Sequence, residues 1–515
     1  MNKAIYIATS EQNSGKSIIT LGLMSMLMGK MAKVGYFRPI IEDIEEGGFD
    51  NHIETVIGHF GMDIEFEDAY AITKSKLIKK KNKGKIGEVL DLIIEKYKKL
   101  EERFDFVLVE GTGFTGEGTV IELDMNVLIA KNLGIPTIIV GSGAGKTLEE
   151  LIDSLYLLYD SFKVKDVEVL AVIANKVQLQ NIELVTNSLK KSLPQNILVN
   201  SIPLIQNLNN PTVQEIVNEL DAKVLFGAAH LNNQTGSFSV GAMQLRNYLL
   251  HLKENSLVIT PGDRADIILG ALQANESLNY PTISGIVLTG NIVPEDSILK
   301  LIEGLSTIVP IIAVEEGTYF ITNKIGSIKS KIYANNKQKI KISIATFEKY
   351  VDLDNLAEKL ITFEAEGMTP KMFQYNLVKR AREHRKHIVL PEGNDERIIR
   401  AASRLLEMDV VAISVIGNKK QIESKVLELG LFFDFSKVQI INPIESEHFD
   451  DYVNTYYELR KAKNVTIEMA KDLMEDVSYF GTMMVYKGHA DGMVSGAAHT
   501  TQHTILPALQ FIKTK

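Results

Sequence analysis

Short β-branched runs alternate with amphipathic segments along the first part of the chain, with candidate strands at 4–8, 33–37, 106–110, 137–140 and 170–174. Turn residues and a helix-like stretch follow each run, as at 16–28 after the first. A short apolar run feeding a helix must bury both strand faces. Repeating that unit leads to a doubly wound parallel sheet with helices on either side. At 515 residues the chain is too long for one such core and predicts roughly three domains.

Composition narrows the chemistry. Hydrophobic residues at 45% and charged residues at 23% exclude a largely disordered chain and a coiled-coil rod. The absence of cysteine removes disulfides, thiolate-bound zinc, iron–sulfur clusters and a cysteine nucleophile, so catalysis rests on oxygen and nitrogen groups. A net charge of −9 argues against a general nucleic-acid or anionic-membrane surface. Lys74, Lys76, Lys79, Lys80, Lys81, Lys83 and Lys85 are the one basic exception; without interleaved aromatics they could touch phosphates, but a block of like charges is read as a solvated, mobile loop. Residues 1–10 do not read as a signal peptide and no apolar run reaches spanning length, so a cytoplasmic protein is expected.

A turn-rich stretch at Asn207, Asn209, Asn210 and Pro211 places the first domain at 1–205. A second α/β unit follows at 206–320, with strands at 256–260 and 284–288. Residues 321–367 are polar and lysine-rich, read as a connector with one helical pattern at 353–360. The third unit, 368–515, has strands at 387–390, 411–416 and 438–441 and helices at 395–407, 419–429, 452–463, 467–477 and 504–512.

Gly15, Lys16 and Ser17 follow a strand and open a helix, the context of a phosphate-binding loop. The glycine admits backbone amides to phosphate, the lysine supplies charge, and the serine can hold magnesium. Ser10 stands where the first glycine of G-x-x-x-x-G-K-[ST] belongs, so a chance Gly-Lys-Ser is the competing account. The loop, Phe37-Arg38-Pro39, DFVLVEGTG at 105–113, LGIPTIIV at 133–140 and Ala174-Asn175-Lys176 resemble the dethiobiotin synthetase branch of P-loop proteins. In that branch Glu110 would assist with metal; a solvated strand end is the alternative. Arg38 replaces a family lysine and cannot lend a neutral amine.

In the third unit Pro391, Glu392, Gly393 and Asn394 lie between a strand and a helix, where open α/β sheets bind ligands. Later come YELRK from Tyr457 and ADGMVSGAAHTTQHTILPA at 490–508. Gly492, Ser495, Gly496, His499, Thr500 and Thr501 suit an anion or thioester pocket, or a tight turn capped by Thr500 or Thr501. PEGNDERI from Pro391, YELRK and DGMVSGAAHTT from Asp491 together resemble the long form of bacterial phosphate acetyltransferase. The likeness extends over the chain, including Pro211 to Ile216 and SLVITPGDRADIIL at 256–269. In the latter, Arg264 is read as a turn-stabilising partner of Asp263 or Asp266 rather than an anion ligand.

The resemblance implies three α/β domains: a P-loop doubly wound sheet, a DRTGG domain, and the N-terminal half of an isocitrate-dehydrogenase-like phosphate acyltransferase domain. It implies acetyl exchange between acetyl-CoA and inorganic phosphate, by direct attack in a ternary complex without an acyl-enzyme. It also implies CoA as substrate with no required cofactor, a nucleotide effector, a homo-oligomer, and no nucleic-acid or membrane partner. Arg460 would bind phosphate or CoA, with a helix-surface salt bridge to Glu458 or a neighbour as the alternative. Ser495, Thr500 and Thr501 would donate to phosphate or carbonyl oxygen. Gly15, Lys16 and Ser17 would hold a nucleotide; no metal ligand is assigned.

Family members usually read H-T-T-x-D-T-x-R-P-A where His499 to Ala508 stand, so His503 replaces an acid and Leu506 an arginine. The serine, arginine and aspartate that would carry the chemistry are expected beyond Lys515, so no catalytic residue is assigned. Exposed apolar surface is expected on the last segment. A nucleotide-sensing module without catalysis is the competing function. An ATP-dependent carboxylase is a third, disfavoured by Ser10 and Arg38.

Overall fold

The computed structural model describes residues 4–9, 11, 14–44, 48–113, 119–305, 309–328, 330–363 and 367–512. Ser10, the departure in the phosphate-loop pattern, lies outside them. Two compact units divide the chain, Met1–Met372 and Phe373–Lys515.

In the first unit seven strands form one wholly parallel sheet: β1 (Ala4–Thr9), β2 (Val34–Ile41), β3 (Tyr70–Thr73), β4 (Phe106–Glu110), β5 (Thr137–Ser142), β6 (Val169–Val177) and β7 (Leu198–Pro203). Their order is β3-β2-β4-β1-β5-β6-β7. Every residue of β1, β2, β4 and β5 is buried, because helices cover both faces, and this is why those strands read as unbroken apolar runs. The two edge strands carry weaker signals. β3 is short and mostly half-buried, and β7 is interrupted by Asn200 and Ser201.

The lysine block is a helix, Lys74–Asn82, rather than a mobile loop. Leu77 is buried beneath it, Lys80 and Lys85 both pair with Glu88, and Lys74 reaches Glu42. Lysine is a good helix former, and those acids offset the like-charge repulsion that suggested a loop.

A second sheet contains β8 (Lys223–Phe226), β9 (Ser237–Val240), β10 (Ser256–Pro261), β11 (Ile283–Thr289) and β12 (Ile311–Ala313), ordered β8-β12-β11-β10-β9. All neighbours are parallel except β8 against β12. Arg264 forms a two-pronged pair with Asp266, at 2.9 Å for both contacts, and caps the carbonyls of Gly241 and Met243, as its turn-stabilising reading expected.

The stretch 321–367 is not a loose connector. Helices Thr318–Ser327, Lys337–Tyr350 and Leu353–Thr362 occupy it. Phe347 of the middle one is fully buried against the helix Lys16–Lys30, and a Cβ on Gly22 would collide with its ring. Lys339 is also fully buried, 2.8 Å from Glu215. Polar composition misled here because its key charge is paired inside the fold rather than solvated.

The second unit has its own parallel sheet, β13 (His387–Leu390), β14 (Ala412–Ile416), β15 (Val438–Ile441) and β16 (Gly492–Met493), ordered β15-β14-β13-β16. Ile399, Ala402, Ile422 and Val426 pack one core cluster, and Tyr452, Tyr456, Met474, Phe480 and Met483 another. From β13 the chain steps outward through β14 to β15, and β16 returns on the opposite side. The strand order therefore reverses between β13 and β16, and open α/β sheets bind ligands at the carboxyl ends of strands at such a reversal. The last described helix, Thr501–Phe511, exposes Ile505, Leu506 and Leu509, the apolar surface expected there. No described helix is long and apolar enough to cross a membrane.

Candidate active site

Two loops stand at the carboxyl ends of β13 and β16. After β13 the chain turns through Pro391 to Asp395. Gly393 passes so close to β14 that a Cβ would stand 2.5 Å from the Ile416 carbonyl oxygen, so the side chain of Glu392 is delivered at one fixed place. After β16, Val494 to Thr500 form a turn in which Gly496 adopts a φ of +107°, outside the range most side chains tolerate. Glu392 is buried and accepts from four consecutive N–H groups of that turn: Gly496 at 3.0 Å, Ala497 at 2.8 Å, Ala498 at 2.7 Å and His499 at 2.8 Å. Burial pushes its carboxyl up, and the four amides outweigh that and hold it below the usual carboxylate range.

Thr500 caps the helix Thr501–Phe511, accepting from the His503 amide at 3.3 Å, so its capping role is present. Thr501 is exposed at the helix start. Ser495 is half-buried, and its hydroxyl oxygen has no internal hydrogen-bond partner. His499 stacks on His503 with centroids 4.5 Å apart. His499 Nδ1 approaches Ser478 Oγ at 3.1 Å, and His503 Nε2 approaches Asp476 at 2.8 Å. The imidazole at 503 thus has a carboxylate partner from the helix Val477–Tyr486, whose N-terminus Asp476 caps.

Ser495, Thr500 and Thr501 are gathered on one turn, whereas Arg460 is not part of it. Arg460 lies by Tyr456 and Tyr479, next to Gln510. Gln510 is at the far end of the helix from Thr500, roughly 15 Å along its axis. Glu458 pairs with Lys461, not with Arg460, so the surface pair is not formed either. The Arg460 Nε is buried without a hydrogen-bond partner. Asp476 and Ser478 were missed as site residues, and Glu392 was read only as part of a ligand-binding loop, with no role of its own. The PEGND loop was the one available signal, since Asp476 and Ser478 lie on a helix with no motif of its own.

In the first unit Gly15, at φ +77°, turns the chain from β1 into the helix Lys16–Lys30. A cavity of about 400 Å³ opens there, lined by Gly15, Lys16, Ser17, Lys176, Pro203 and Lys331 among others. Lys16 points inward: its Nζ donates to the Gly111 carbonyl at 2.7 Å and stands 3.4 Å from Glu110. Burial lowers its pKa to about 8, against the opposing pull of Glu110.

Glu110 is fully buried, so it is not a solvated strand end. One oxygen accepts from Thr20 at 2.8 Å and Tyr36 at 2.9 Å. The other faces His52 at 3.1 Å, Lys16 at 3.4 Å and Arg38 at 3.8 Å. A carboxylate so enclosed does not fit a magnesium ligand. Arg38 is in turn clamped by Asp50 at 2.5 and 2.6 Å. Burial lowers the His52 pKa, and Arg38 adds to the effect. Asp50 and His52 had no sequence signal, because they reach Arg38 on β2 and Glu110 on β4 from a distant helix start.

Three family models match in chain order: "AAA domain" over 3–212, "DRTGG domain" over 215–328 and "Phosphate acetyl/butaryl transferase" over 372–515. That order defines a three-part α/β acyltransferase. A phosphate acetyltransferase of Nitratidesulfovibrio vulgaris is 41% identical, covering all of this chain and 74% of its own length. One from Synechocystis sp. is 40% identical over the same shares. The solved phosphotransacetylase of Streptococcus pyogenes is 41% identical over 29% of this chain and 44% of its own, with a TM-score of 0.27. The chain belongs to the phosphate acetyltransferase family, as its motifs implied.

Proposed function

We propose that the chain transfers acetyl between acetyl-CoA and inorganic phosphate, giving acetyl phosphate and CoA, with substrates held at the carboxyl ends of β13 and β16. One observation carries this assignment. Among the described residues of the second unit, the buried side-chain polar atoms without internal partners are Arg460 Nε, Ser495 Oγ and Thr504 Oγ1. All three lie in the stretches that carry the family resemblance. Each such atom costs about 1–3 kcal/mol unless something pairs with it, and, enclosed as all three are, an anionic substrate would pair with them once the surrounding side chains part.

In the reaction a phosphate oxygen attacks the thioester carbonyl, the C–O bond forms and the C–S bond breaks. CoA leaves as a thiolate and then takes a proton. Ser495 and Thr501 supply hydroxyl donors to phosphate or to the oxyanion, and Arg460 binds an anionic part of CoA away from the turn. The test is formation of acetyl phosphate from acetyl-CoA and phosphate by the full chain, with Ser495→Ala expected to slow it roughly 10-fold or more. No acetyl phosphate, or an unaffected Ser495→Ala, contradicts the assignment.

A second reading concerns the first unit: its phosphate-loop cavity binds a nucleotide effector without hydrolysing it. Support for binding comes from the cavity beside Gly15, Lys16 and Ser17, and for the lack of hydrolysis from Lys16 being held on Glu110 and the Gly111 carbonyl, with Glu110 too enclosed to carry metal. Calorimetric titration with ATP is expected to show binding and no phosphate release; a flat titration, or turnover, overturns it. A cytoplasmic homo-oligomer is proposed with both readings, consistent with the apolar face at Ile505, Leu506 and Leu509.

A further inference from the structure

The turn after β16 is folded around an internal anion. Four consecutive amides converge on the two oxygens of Glu392, so the backbone of Gly496 to His499 already has its acceptor. Such a nest of amides would ordinarily hold a phosphate or carboxylate ligand. Here the ligand is part of the chain. The groups left for a substrate are the side chains that the nest orients: Thr501, exposed at the helix start, and Ser495, whose enclosed hydroxyl has no internal partner.

Several features keep Glu392 in place. Gly393 donates to the Ile416 carbonyl at 3.1 Å, and Val494 donates to Val389 at 3.0 Å, so both loops leave the sheet in fixed register. Arg397 donates to the Ala497 carbonyl from the other side while gripping Asp395. His499 Nδ1 stands 3.5 Å from the Glu392 carboxylate.

We propose that Glu392 is a positioning residue for acetyl transfer: its carboxylate, held by the amides of 496–499, fixes the turn that presents Ser495 and Thr501 to phosphate and CoA. This rests on the acetyl-transfer assignment above. Charge and shape are both required. A neutral amide at 392 would place an NH₂ against backbone donors, leaving at least one of them facing a donor. Aspartate keeps the charge but falls short by one methylene, so it reaches fewer amides.

The test compares wild type, Glu392→Gln and Glu392→Asp in the full chain. Hydrogen exchange of a peptide covering 494–501, CoA affinity by calorimetry, and KM for phosphate against kcat are each measured. For Glu392→Gln we expect exchange in that peptide to quicken while the helix Glu396–Met408 stays protected, and CoA affinity to fall roughly 10- to 100-fold. KM for phosphate should rise and kcat fall, with partial recovery in Glu392→Asp. A Glu392→Gln chain with wild-type CoA affinity and phosphate KM overturns the proposal, whether or not its turn is loosened. Loss of protection across the whole second unit also overturns it, since Glu392 would then be a general stability residue. If wild type neither binds CoA nor transfers acetyl, the functional assignment falls and this proposal with it, an outcome distinct from a silent substitution in an active chain.

Discussion

A single buried carboxylate organises the centre of the first unit. Glu110 draws in Lys16, Arg38 and His52, which come from three different stretches of chain, and the result is a charge cluster rather than a metal site. The change from lysine to arginine at 38 was legible in the sequence. Its meaning was not, because the partner that clamps Arg38 is Asp50, whose carboxylate also caps the helix Asn51–Phe60 and carries no phosphate-loop signal. The lysine itself was legible as a phosphate ligand, but its inward direction depends on the Gly111 carbonyl and on Glu110 across the sheet.

The cluster makes a pH prediction. Folding lowers the Lys16 pKa from 10.5 to about 8. Between those values the unfolded chain holds a proton that the folded chain has released, so the contribution of Lys16 to stability rises with pH across that window. Denaturant midpoints of wild type and Lys16→Met, compared at a pH just below 8 and again near 10, should show wild type gaining on the variant. Parallel curves, or a gain for the variant, would refute this.

Among elements, burial on both faces decided what could be read. β1, β2, β4 and β5 were anticipated because helices cover them entirely, while the edge strands and the three- and four-residue strands β8, β9 and β12 carry too few apolar positions to stand out. The PEGND loop and the turn at 494–500 were legible as a candidate site, yet their direct connection through Glu392 emerges only when β13 and β16 lie side by side. The helix Lys337–Tyr350 is the clearest surprise. Its lysines suggested a solvated linker, but Phe347 and Lys339 are fully buried on a different side from those exposed at Lys337 and Lys341. Phe347→Ala should therefore cost about 3–5 kcal/mol in denaturant unfolding of the first unit. A loss below about 0.5 kcal/mol, the effect usual at a solvated surface position, would restore the connector reading.

For the molecule as a whole, three α/β modules and their order were legible because each carries its own motif, and motifs survive where edge strands and buried charges do not. The chain spans about three quarters of the length of the Nitratidesulfovibrio and Synechocystis relatives and carries the family's phosphate acyltransferase motif over 372–515. With no cysteine in the sequence, a thioester on this chain is impossible, and transfer passes straight from CoA sulfur to phosphate oxygen or through an oxygen ester or an acyl-imidazole. Exchange of labelled CoA into acetyl-CoA, catalysed by the full chain with and without phosphate, separates these routes. Direct transfer at the carboxyl ends of β13 and β16 predicts exchange only when phosphate is present; exchange without phosphate, or none under either condition, would contradict it.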